Sequence, residues 1–134
     1  MDSCVWSLML RRRRNAKLSR EELLIRDSLA EAIADGRVAI IGPIRQEVLS
    51  GIKDPVQFAN LQAALSVFRD VPLTTSHFEE AARLYNLCRS RGVECSSTDI
   101  LICAVAVEKQ WSLLTNDMGL LRCIRELHAE GFNL

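Results

Sequence analysis

An α/β domain with a parallel sheet covered on both faces is the fold this sequence predicts, on three observations. Short apolar runs of strand length alternate with longer segments that carry helical periodicity. Glycine, proline and serine punctuate the boundaries between them. Residues 96–117, SSTDILICAVAVEKQWSLLTND, read as one unit of helix, short link and strand. In a parallel sheet the helix N-termini and strand C-termini share an edge, and ligands bind there. Asp99, at the helix start, and Asp117, just past the strand, are therefore expected to be neighbours in space.

The elements follow in order. Ser3 could cap a helix from Cys4 to Arg13, with Val5, Leu8 and Met9 on one face. Ser19 with Glu21 and Glu22 opens a longer helix whose stripe is Leu23, Leu24, Leu29, Ala30 and Ile33, ending at Asp35-Gly36. Val38 to Ile41 is a strand of β-branched residues and alanine. Pro43 suits the first turn of a helix carrying Ile44, Glu47 and Val48, stopped by Ser50-Gly51. Phe58, Leu61, Leu65 and Phe68 share a face of a helix from Pro55 to Phe68. Val71-Pro72-Leu73 is broken by proline and fits only a sheet edge. A helix from Ser76 to Leu87 carries Phe78, Ala81, Ala82 and Tyr85 on its face.

Ser96, three residues before Asp99, is a helix-start signal for the next element. Its apolar run from Ile100 to Val107 predicts burial on every side. Trp111 to Leu114 is a strand, Gly119 to His128 a last helix, and Phe132 to Leu134 a terminal strand. No linker or repeat divides the chain, so residues 1–134 read as one domain.

Composition narrows the functions. Seventeen basic residues balance seventeen acidic ones, which excludes a strong bulk field toward nucleic acid. No apolar run approaches the about 20 residues of a membrane span. The five cysteines form no C-x-x-C pair. They read as reduced thiols packed in a cytoplasmic protein rather than a disulfide framework or a zinc site. Trp6 and Trp111 fall inside apolar patterns and are expected in the core.

Asp2, Glu47, Asp99 and Asp117 each stand beside apolar residues near an element end. Singly, each has a plain explanation. An acid in a first turn complements the helix dipole, Asp117 suits a turn or a helix cap, and a helix glutamate is usually solvated. Gathered at one edge, however, carboxylates repel one another unless a cation compensates. A set of acids without histidine or cysteine suits Mg2+ or Mn2+. Such sites hydrolyse phosphodiesters with a metal-activated water.

With Asp2-Ser3-x-Val5-Trp6, Ile44-x-x-Glu47-Val48-Leu49, Thr98-Asp99 and Leu114-Thr115-Asn116-Asp117, the chain resembles the PIN-domain nucleases, and within them the VapC-type toxins. The resemblance implies a three-layer α/β/α fold with a five-stranded parallel sheet in the order 3-2-1-4-5. It implies a Mg2+- or Mn2+-dependent endoribonuclease, the toxin of a type II toxin–antitoxin pair, commonly a homodimer and silenced by its antitoxin. Asp2, Glu47, Asp99 and Asp117 would be the catalytic, metal-binding acids, with Ser3 and Thr115 in support. The alternative is a degenerate PIN domain kept as a protein-interaction module.

Three departures qualify the match. Only Met1 stands before Asp2, so the family's first strand is expected to be truncated here or to have its residues upstream. Cys4 stands where the family usually places a small polar residue. Gly119 stands where it often places another acid, so a second metal is expected to be held weakly. Arg11, Arg12, Arg13 and Arg14 read as a solvated helix end, or as contacts to RNA phosphates or antitoxin acids.

Overall fold

The computed structural model describes residues 19–134. The expectations for Asp2, Ser3, Cys4, Trp6, the helix over 4–13 and Arg11 to Arg14 lie outside the described residues. The described residues fall into two compact units that meet in sequence between Val71 and Pro72. The first holds helices α1 (Arg20–Ala34), α2 (Gly42–Ser50) and α3 (Pro55–Leu65). The second holds α4 (Thr75–Ser90), α5 (Ser97–Lys109) and α6 (Met118–Ala129).

Among the described residues there is no strand and no sheet, and this overturns the expected α/β fold with its 3-2-1-4-5 sheet. What remains of Val38 to Ile41 is one isolated parallel bridge, Ile40 to Asp70. The physical reasons are local. Val71 N–H donates to the Ile40 carbonyl at 2.8 Å, but Pro72 follows with no N–H to extend the ladder. Trp111 N–H donates instead to the Ala106 carbonyl at 2.9 Å, and Phe132 N–H to that of Leu127 at 3.1 Å. Both bonds close helices, so the amides that would open the last two strands are already engaged.

In the first unit α1 starts on a reciprocal cap. Ser19 Oγ accepts from Glu22 N–H at 3.1 Å, and Glu22 Oε2 accepts from Ser19 N–H at 2.7 Å. Of the expected stripe only Leu29 is buried, while Leu24 is exposed. Helices α2 and α3 pack together, with Ile44, Val48, Leu61 and Leu65 buried. Arg45 links the two. Its Nε donates to Asp70 Oδ1 at 2.9 Å, Nη1 to the Leu65 carbonyl at 3.0 Å and Nη2 to the Phe68 carbonyl at 2.6 Å. A cation on the last carbonyl of α3 also complements its dipole. Helix α3 stops at Leu65, three residues before Phe68, and this fork covers its end.

In the second unit α5 packs against α4 and α6, and every residue from Ile100 to Ala106 is buried. The all-round burial read from its apolar run is what the structure shows. Trp111, just past its end, is 42% exposed and not in the core, because Gln110 turns the chain through a left-handed φ of 54°. His77, in the first turn of α4, is buried. Its Nδ1 accepts from Thr74 N–H at 3.0 Å, which leaves the proton on Nε2. That Nε2 lies 3.0 Å from Glu108 Oε2 on α5 but is not aligned as a hydrogen bond.

Cys95 and Cys123 form a disulfide, which corrects the expectation that all the thiols are reduced. Both residues are buried, and the pair ties the residue before the cap of α5 to the middle of α6. Nothing in the spacing announces it, because the partners are 28 residues apart and meet only when α5 and α6 pack. Cys88 and Cys103 remain free and buried. No helix among the described residues is long and apolar enough to cross a membrane.

Candidate active site

The expected acids take three different settings. Asp99 is the third residue of α5, half-buried. The capping role there is filled by its neighbour: Ser96 Oγ accepts from Asp99 N–H at 3.0 Å. Asp99 itself adds negative charge beside the positive end of the helix. One turn further along α5, burial first and the Asp99 charge second push the Cys103 thiol up to about 12. That thiol is therefore inert near neutrality, and it packs as a small apolar group.

Asp117 is the N-cap of α6, its Oδ1 accepting from Leu120 N–H at 2.8 Å. The plain role considered for it, a helix cap, is one it performs. Thr115 Oγ1 accepts from Asp117 N–H at 3.0 Å, so the residue expected to support the site holds the backbone of Asp117. An ionised carboxylate has about four acceptor positions, and one capping bond leaves capacity on Asp117 for another partner. Glu47 is exposed on α2 in the first unit.

These are oxygen donors, the class that hard divalent cations take. Among the described residues, though, no group of three or more histidines, cysteines, aspartates or glutamates is placed to hold a metal ion. Asp2, the fourth expected acid, lies outside the described residues. The described acids alone therefore do not make up a metal site.

Sequence reasoning missed three structural features. The disulfide had no local signal. The Arg45 fork could not be read, because it joins residues 20 to 25 positions apart. His77 did leave a trace, since Thr74 stands three residues ahead of it at capping-box spacing.

Two capped helix starts, each with an aspartate at or near the cap, lie on helices that pack together, and as a class this is an acid-bearing helical unit. The class becomes a family with the sequence comparison. The PIN-domain model matches residues 1–124, and the chain belongs to that family. No curated protein matches it. PIN domains are commonly nucleases and generally use divalent metals, which supports a nuclease-type activity.

Proposed function

We propose that this chain is an endoribonuclease that hydrolyses RNA phosphodiester bonds, and that it serves as the toxin of a type II toxin–antitoxin pair. The family match over residues 1–124 is the observation that carries the nuclease reading. Asp99 adds to it. With Ser96 already capping α5, the helix has no need of a carboxylate at position 99 for its cap.

Asp2, Glu47, Asp99 and Asp117 form the proposed acid set. A bound Mg2+ or Mn2+ would neutralise their mutual repulsion and the charge of the RNA phosphate. Thr115 holds the backbone on which Asp117 sits, and Ser3 is the proposed support for Asp2. The proposed partners are RNA, an antitoxin protein and a second copy of the chain. Arg11 to Arg14 are proposed to meet RNA phosphates or antitoxin acids. A degenerate, partner-binding PIN domain is the competing reading, favoured by Gly119 at a position where the family often has an acid.

Incubating the purified protein with a pool of structured RNAs separates the two. The nuclease reading expects cleavage with Mg2+ or Mn2+ that stops when EDTA is added. A folded protein that leaves every RNA intact with either metal overturns it in favour of the binding module.

A further inference from the structure

Six glycines stand in the chain, and three of the four at the C-terminal ends of described helices have an evident backbone reason, Gly51 with its φ of −81° being the other. Gly36, Gly92 and Gly131 take positive φ, where other residues are strained. Gly119 does not. It lies in the first turn of α6 with no left-handed φ, a place where any good helix former would ordinarily be better than glycine. Its reason is space. A Cβ at position 119 would stand 2.9 Å from Asp117 Oδ1, closer than real Cβ contacts come.

That oxygen is not free to swing away at no cost. It is held on Leu120 N–H at 2.8 Å, while the backbone N–H of the same aspartate is held on Thr115 Oγ1 at 3.0 Å. The carboxylate thus folds back across the first turn of α6, over the one position that carries no side chain.

We propose that Gly119 is a positioning residue for Asp117: its missing side chain is what lets the carboxylate take and keep this orientation. The absence of an acid at 119 is then more than a lost ligand. With the Asp117 carboxylate placed as it is in this chain, a side chain at 119 competes with the cap. Only the catalytic consequence rests on the nuclease reading, since the steric relation stands on geometry alone.

A two-residue cycle tests it with Gly119→Ala, Asp117→Ala and the double variant. Glycine to alanine in a first helical turn normally raises stability. Here Gly119→Ala is expected to lower the melting temperature when Asp117 is present and to raise it when Asp117 is alanine. The Leu120 amide, followed by NMR, is expected to lose its exchange protection in Gly119→Ala as it does in Asp117→Ala. Should Gly119→Ala not fold, recovery of the fold in the double variant demonstrates the same steric conflict. A higher melting temperature for Gly119→Ala beside intact Asp117, or the same change in both backgrounds, overturns the proposal.

RNA cleavage supplies the functional arm. Gly119→Ala is expected to lower kcat at least tenfold while KM for RNA stays within twofold, because an acid is displaced and not an RNA contact. An unchanged kcat, with the Leu120 amide deprotected, would overturn the catalytic part of the proposal. A wild-type protein that cuts no RNA would sink the nuclease reading, and the thermal and amide cycle would still judge Gly119 by itself.

Discussion

The two units of this chain bury their apolar residues in different ways. In the second, α5 is buried from Ile100 to Ala106, and a disulfide closes α6 onto the residue before the α5 cap. In the first, α3 is as apolar in sequence, yet Val56 near its start and Val67 just past its end are 67% and 75% exposed. Only Leu61 and Leu65 of α3 are buried, and a polar fork from Arg45 covers its end. Apolar composition therefore does not measure burial. What separates the two regions is whether packed neighbours surround the helix or cover a single face of it.

Truncating a buried side chain in the second unit should have the largest effect. Leu84→Ala is expected to destabilise by about 2–5 kcal/mol in urea unfolding, whereas Val67→Ala changes stability by no more than about 0.5 kcal/mol. Equal losses from the two would erase the contrast. Replacing Cys95 and Cys123 with alanine is expected to cost about 3–4 kcal/mol on the chain-entropy account for a loop of this length. A dithiol added to the native protein should lower the melting temperature of the wild type and leave that double variant unmoved.

In the first unit the corresponding weak point is polar. Arg45→Ala removes bonds to two carbonyls and one carboxylate, and about 1–3 kcal/mol should be lost in the same assay. The smallest change is a gain. Gln110 holds a left-handed φ of 54°, so Gln110→Gly should stabilise by about 1 kcal/mol. A loss there would mean that the glutamine side chain has a contact worth more than the backbone strain.

Alkaline pH offers a further check on the second unit. The Cys103 thiol, at its ordinary 9.0 when unfolded, is pushed up to about 12 in the folded chain, chiefly by burial. Between those values the unfolded state loses the proton and the folded state keeps it, so stability falls as pH rises through that window. Cys103→Ala should flatten that part of the pH profile. Near pH 8 the wild-type thiol should resist alkylation until the protein unfolds.

Helices were legible where local chemistry decides them. Ser19 with Glu22, Pro43, Ser96 with Asp99 and Asp35-Gly36 each mark a boundary that the structure keeps to within a residue. The strands were not legible, because a strand exists only through its neighbour. Val38 to Ile41 has the composition of one but finds a single bridge before Pro72 intervenes. Trp111 and Phe132 look like strand openings, yet their amides close the preceding helices. For the site, sequence reasoning placed Asp99 at a helix start and named capping among the roles open to Asp117. It could not see that Asp117 Oδ1 and an empty position at 119 share one space, which is a relation of coordinates and not of residue types.

The catalytic role proposed for Asp99 goes beyond complementing the dipole of the helix it opens. The most direct measurement compares RNA cleavage by Asp99→Asn and Asp54→Asn, since Asp54 is the cap of α3 in the other unit and accepts from Val56 N–H at 3.1 Å. Asparagine keeps the shape at both positions and removes the charge. We expect Asp99→Asn to fold with a nearly unchanged melting temperature and to lose cleavage, while Asp54→Asn cleaves as the wild type does. Cleavage at the wild-type rate by Asp99→Asn would contradict the account and leave that carboxylate as a complement to the helix dipole.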